Sequence, residues 1–452
     1  MRTPSVSRRG RGAVCFGAAC VAAAGLVTVA AATPAAADSD QLWIQAPYRH
    51  TLPKAADGGP QPPASTLALG LYHDNDNFTV TDGRLTVDVS GLAGVAEVTW
   101  PENCAPAGTT AVCTVPRVPS SYTAQVPLQV RAAAGVDVGA TGRVTYTAKA
   151  ATTMPGGELT AAEGYETTIT VGSGPDLVLD QPARVEEVRP GSTVPVPFSV
   201  VNRGNEPARG VHVTLYVTRG LDVGAVAPQC TGGPAGEDGP VRPVTKLECA
   251  FDTVVEPGGT FALPQPLNAV VARHALYERV DMAVAPGGGA EDLTPEDNGA
   301  LVEIKAANTA DFAIRGARVS GAAGRTVTAD LTFRNRGPAW VANLGAGDPV
   351  ARVDLVVPEG ATVTGVPADC EARTLQGEWY DGTTGAPRYV CNLPMWVAEK
   401  QTATFRFQLR IDTVVPRATG AVRLMPSYGD GTLSFDPNTG NNTAALVLNP
   451  RA

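Results

Sequence analysis

From residue 194 the chain alternates: Val194, Val196, Phe198 and Val200 are separated by Pro195, Pro197 and Ser199. A second run starting near 327 repeats the pattern, with Val327, Ala329, Leu331 and Phe333 between Thr328, Asp330, Thr332 and Arg334. Period two is the mark of a strand with one buried face. Pro195 and Pro197 cannot donate to a ladder, so the first of these strands is expected at a sheet edge. Both runs close on one turn, Asn202-Arg203-Gly204 and Asn335-Arg336-Gly337, where Asn can bond its own backbone and Gly tolerates positive φ. Further alternating runs follow: Val211, Val213, Leu215 and Val217 in one stretch, Val353, Leu355 and Val357 in the other. An earlier copy, Leu85, Val87 and Val89 with Ala96, Val98 and Trp100, lacks the Asn-Arg-Gly turn.

The cysteines sort these strands into repeats. Cys104 and Cys113, Cys230 and Cys249, and Cys370 and Cys391 form three local pairs. Thirty-one residues after the second cysteine of each pair stands a valine in a strand-like run: Val144, Val280 and Val422. Three coincidences at one offset indicate one supersecondary plan used three times. Zinc would want CxxC-type spacing with nearby histidines, which the sequence lacks, so disulfides are expected, each contributing roughly 3 kcal/mol in the chain-entropy model. Many short strands with turn signals and no helical period predict an all-β protein. Its expected architecture is tandem immunoglobulin-like β-sandwich domains, one disulfide each. The expected units are 38–172, 175–306 and 310–452, and the Pro- and polar-rich stretch from 38 to 65 is expected to be partly mobile.

Composition changes the picture at the start of the chain. Arg2, Arg8, Arg9 and Arg11 precede an Ala- and Val-rich stretch that exits through Thr33-Pro34-Ala35-Ala36-Ala37. A basic head, an apolar middle and small residues before a cut predict a signal peptide over 1–37, cleaved after Ala37. Ser7-Arg8-Arg9 lacks the apolar pair of a twin-arginine signal, and Gly17 stands where a lipoprotein motif before Cys20 wants Leu. Cleavage removes four arginines and takes the formal charge from −9 to −13. An acidic surface argues against nucleic acid or anionic lipid as partner. No later apolar run is long enough to span a membrane, and Arg outnumbers Lys 30 to 5, as in a GC-rich bacterial genome.

At these residues the chain resembles the conserved-repeat domains of bacterial surface proteins, among them the cell-adhesion-related bacterial domain, CARDB. The second unit carries the pattern in Pro175-Asp176-Leu177-Val178, Pro190-Gly191, Asn202-Arg203-Gly204 and Val211-His212-Val213. The third carries Asn335-Arg336-Gly337-Pro338 and Pro358-Glu359-Gly360, and both end in Asn-rich turns, Asp297-Asn298 and Asn441-Asn442. The resemblance implies an Ig-like fold, an extracellular setting of actinobacterial type, and a structural or adhesion role with no catalytic residues. The chain closes on Leu448-Asn449-Pro450-Arg451-Ala452 without a sortase signal, so release or non-covalent wall retention is expected.

Sharper chemistry finds little support in the sequence. The histidines His50, His73, His212 and His274 are scattered, and no GxSxG, HExxH or phosphate loop is present. No catalytic residue, cofactor or metal is therefore expected. Asp74-Asn75-Asp76-Asn77, and Asp436-Pro437-Asn438 with Asn441-Asn442, gather oxygens that calcium favours, but without EF-hand spacing they read first as Asx turns. Opening strands without lysine leave no place for a Lys–Asn isopeptide bond. The segment between Cys370 and Cys391 holds Glu378, Trp379, Tyr380 and Tyr389. These form either a cover for the sandwich end or a binding loop for an extracellular protein or glycan.

Overall fold

A computed structural model describes residues 39–56, 61–235, 242–429 and 431–449. The leader expected over 1–37 lies outside the described residues. Every regular element among the described residues is a strand, apart from two 3-10 turns, Pro295–Asp297 and Thr439–Asn441. The protein is thus all-β. Its buried side chains form three cores, one running from Leu42 to Val171, one from Leu177 to Ala306, and one from Ala310 to Leu446 that also takes in Leu276 of the second unit.

Each core lies between two sheets, and the larger sheet has the same strand order three times. In the first unit it runs Arg49–Pro53, Tyr165–Gly172, Thr141–Thr152, Val80–Gly91, Thr110–Val118, Cys104–Ala107. In the second it runs Val185–Val188, Gly299–Ala306, Tyr277–Pro286, Ala208–Thr218, Val244–Val255, Cys230–Ala235. The third repeats it as Arg318–Val319, Thr443–Leu448, Ala418–Met425, Arg352–Val356, Arg388–Asn392, Cys370–Arg373. In every unit the outermost early strand pairs parallel with the last one, which closes the sandwich. Val144, Val280 and Val422 sit at matching places on the third strand of this order and are fully buried. Their common offset reflects a shared register.

Each cysteine pair joins residues directly opposite one another on neighbouring strands: Cys104 with Cys113, Cys230 with Cys249, Cys370 with Cys391. The bridges therefore pin the last hairpin of each large sheet. Within the 38–65 stretch, Leu42–Gln45 pairs with the strand Ser65–His73 and Arg49–Pro53 closes the large sheet, while positions 57–60 lie outside the described residues. Buried Leu42, Ile44 and Leu52 supply the reason: the prolines there punctuate two short apolar strands.

The smaller sheet separates the second unit from the third. In the third, Thr326–Asn335 runs unbroken against Thr402–Ile411 in one register. In the second, the expected strand through Val200 splits into Thr193–Pro195 and Val200–Asn202. Pro195 faces Asn268 and Val200 faces Phe261, so four residues on one strand oppose six on the other. The surplus contains Pro264-Gln265-Pro266. Proline holds φ near −65°, short of the pleated strand's extension, and the ladder yields as a bulge. Thr193–Pro195 does lie at an edge. Val196 N–H donates inward to Leu267 O, so the neighbouring proline nitrogens face away from the partner strand.

The Asn-Arg-Gly turns are plugs. Asn202 is fully buried; its Oδ1 accepts the N–H groups of Asp176 and Gly204, and its Nδ2 donates to Glu206 O and Val255 O. Asn335 repeats this with Asp311, Gly337, Ala339 O and Ala398 O. The glycine is there for close approach, not for positive φ: a Cβ on Gly204 would meet Gly174 O at 2.2 Å, and one on Gly337 would meet Asp311 N at 2.4 Å. In the first unit His73 holds the same place, paired with Leu42 as Asn202 is with Leu177 and Asn335 with Phe312. Its Nδ1 lies 2.9 Å from Asp40 Oδ2, while Asp40 Oδ1 accepts the amides of Asp74 and Asn75.

Candidate functional site

The loop between Cys370 and Cys391 does not gather its aromatic residues in one place. Tyr389 is fully buried on the strand Arg388–Asn392, edge-on to Phe407, and its hydroxyl accepts the Ala386 N–H. Tyr380 packs partly against the third core. Glu378 and Trp379 stand outside, on a short hairpin closed by Thr374 N–H to Glu378 O at 2.9 Å. Trp379 is 71% exposed and carries the Arg373 guanidinium 3.7 Å over its ring. It covers little of the sandwich end. The stacked cation holds the exposed indole flat against the hairpin.

The oxygen-rich turns bond to backbone. Asp74 Oδ1 accepts Gln41 N–H and its Oδ2 the Trp43 indole N–H, while Asn75 Oδ1 accepts Asn77 N–H. Asp436 Oδ2 accepts Phe312 N–H and its Oδ1 accepts Asn438 N–H. Of the histidines, His212 is exposed and His274 contacts Arg219 O, whereas the half-buried His50 is driven down to about 4 by desolvation.

Two joints connect the units. Between the second and third, Glu278 is almost wholly buried and fully bonded. Its Oε1 accepts the Trp340 indole N–H and Leu276 N–H, and its Oε2 accepts Thr218 Oγ1–H and Gly220 N–H. Gly220 gives this carboxylate its room, since a Cβ there would lie 2.2 Å from the Glu278 carboxyl and would have to displace it. Trp340, 1% exposed, belongs to the third unit and donates its own amide to His274 O of the second. Arg219 meets Glu399 through two bonds of 2.6 and 2.7 Å, and this partner holds the Glu399 carboxyl below its ordinary range. The joint thus combines a buried carboxylate, a buried indole and a bidentate ion pair, an arrangement that resists rotation.

At the joint between the first and second units, Asp176, Asp292 and Asp297 converge, with carboxylate oxygens within 4.8 Å of one another. Asp176 precedes the strand Leu177–Leu179, Asp292 precedes the 3-10 turn Pro295–Asp297, and Asp297 is that turn's last residue. Asp292 is partly used, Oδ2 accepting Leu177 N–H and Oδ1 accepting Thr294 N–H. Asp176 Oδ1 and Asp297 Oδ1 have no hydrogen-bond partner. Burial, then the charge of Asp292, lifts the Asp176 carboxyl to about 6. Burial followed by the charges of Asp176 and Asp292 lifts Asp297 to about 8, with Arg203 opposing. Sequence reading missed this cluster because 116 residues separate Asp176 from Asp292. The available signal was a second alignment: Asp292, Asp297 and Asn298 share their spacing with Asp436, Asn441 and Asn442.

No family model matches the chain, and no curated protein matches it. Among solved structures it is similar to one described as a membrane anchored protein from Corynebacterium diphtheriae, at 10% identity over 90% of this chain and 91% of that one, TM-score 0.17. It is also similar to the I67–I69 fragment of titin, at 10% identity over 92% and 100%, TM-score 0.18. A third is the C-terminal domain of the BspA polypeptide of Streptococcus agalactiae, at 9% identity over 61% and 99%, TM-score 0.18. At these values the likenesses carry no argument about this chain, whose all-β Ig-like architecture rests on its own strand order.

Proposed function

We propose that this is an exported, non-catalytic structural or adhesion-type protein of the bacterial cell exterior, related in plan to the cell-adhesion-related repeats. The observation that carries the reading is the second joint. Arg219 with Glu399, and Glu278 with Trp340, tie neighbouring sandwiches into a stiff pair. Disulfides suit an oxidising exterior, and repeated cross-linked sandwiches suit a load-bearing spacer.

The test is small-angle scattering on the exported chain, together with its N-terminal mass. An elongated particle beginning at Asp38 is expected. A compact particle, or a chain that stays in the cell, overturns the reading.

A second reading is favoured by one observation, the exposure of Trp379 beside Arg373. In it the loop binds an extracellular protein or glycan. Trp379→Ala then weakens capture on wall glycan or matrix protein while stability is unchanged, and lost stability with unchanged capture removes the idea.

A further inference from the structure

We propose that Asp176, Asp292 and Asp297 form a site for a hard divalent cation of the calcium type, set at the joint between the first and second units.

Three carboxylates with no nitrogen or sulfur ligand suit calcium chemistry. A second observation lies outside the acidic cluster. Thr294 is 9% exposed; its hydroxyl lies against the Asp176 carboxylate and favours its charge, but the contact falls short of a well-formed hydrogen bond and leaves Oγ1 without another partner. Asn298, 7% exposed, lies against Asp292 with its Oδ1 likewise without a partner. Asp176 itself is 2% exposed with one oxygen unused. Buried polar atoms without partners are uncommon, and several around one point mark a missing positive centre. The guanidinium of Arg203 offsets part of the charge.

The third unit contains the control. There Asp311, Asp436 and Asn441 occupy the places of Asp176, Asp292 and Asp297. Asn441 Nδ2 donates to Asp311 Oδ1 at 2.7 Å, and Asn438 Nδ2 reaches it at 3.5 Å. Amide N–H groups thus meet the Asp311 carboxylate. Asn441 Oδ1 and Asn442 Oδ1 lack partners there as Asn298 Oδ1 does in the second unit. The two units therefore differ at Asp176 and Asp297, whose unpaired carboxylate oxygens have no such donor. The loop bearing the site also meets the first unit: a Cβ on Gly172 would touch Leu293 at 2.8 Å, and His50 feels the charge of Glu296. Leu293 N–H donates to Pro175 O in the linker itself. A bound cation would order this loop and tighten the joint.

The experiment is calorimetric titration of calcium chloride into the chelator-treated exported chain, beside Asp297→Asn. That variant copies the third unit's own residue, so it is expected to fold. Wild type should bind one ion with Kd of about 0.1–1 mM, the range of extracellular calcium modules. At a hundred times Kd, chelator should lower the folded-to-unfolded ratio of the second unit about a hundredfold. The variant should show neither effect. Absence of binding in wild type, or binding retained in Asp297→Asn, overturns the site. Equal affinity for magnesium overturns the calcium assignment. Scattering in chelator and in calcium reads the joint separately. The stiff pairing of the second and third units does not depend on the ion.

Discussion

The second and third units share strand order, disulfide position and asparagine plug, yet they neutralise the same loop differently. In the third, Asn441 satisfies Asp311 from within the chain. In the second, Asp297 occupies that place and faces two carboxylates. One change from amide to carboxylate removes the N–H donor that meets Asp311 and leaves three carboxylates facing one another, the arrangement proposed to take a cation. The smaller sheet shows the same lesson in backbone. Pro264 and Pro266 accompany a break in the second unit where the third runs Thr326–Asn335 without interruption. A shared topology leaves such local solutions free.

The plugs should be where the two units are most alike, and there the largest effect is expected. Asn202→Ala and Asn335→Ala each strip four bonds from a buried turn and leave backbone groups unpaired. Each should cost roughly 3 kcal/mol or more in urea unfolding. A large difference between the two variants would break the equivalence.

A second effect separates the units by pH. The Asp176 and Asp297 carboxyls titrate in the folded chain at about 6 and about 8, above their ordinary 3.8. Between those limits the folded state holds protons that the unfolded state has released, so stability falls as pH rises from about 4 to about 8. In chelator the wild-type chain should therefore melt lower at pH 8 than at pH 5. Asp297→Asn should lose most of that slope, and a slope unchanged in the variant would place its source elsewhere.

The smallest effect concerns the edge prolines. Pro195→Thr with Pro197→Thr adds donors that face away from the partner strand, so stability should move by less than about 1 kcal/mol. The uncovered edge should raise self-association at high concentration, visible in sedimentation. A large stability loss would mean that these prolines, rather than the surplus residues around Pro264 and Pro266, set the break.

Much of this was legible in the residues. Alternation located the strands around Val194, Val327, Val211 and Val353, and the common offset to Val144, Val280 and Val422 located the repeat. The first unit was harder to see as a copy, because His73 with Asp40 performs the work of an asparagine plug with different atoms. Of the loop residues singled out, Tyr389 lies in the core and Trp379 outside it. An aromatic residue in a loop sequence carries no sign of which face it turns to.

The sequence by itself determined the strand periodicity, the repeat and the cysteine pairs, because these depend on neighbours a few residues away and on local φ preferences. Only the tertiary structure decided that Asp176 meets Asp292 and Asp297, that Glu278 is sealed by Trp340, and that Arg219 reaches Glu399. Those contacts join residues 62 to 180 positions apart. Electrostatics in a buried site depends on distance through space, which a one-dimensional pattern does not carry.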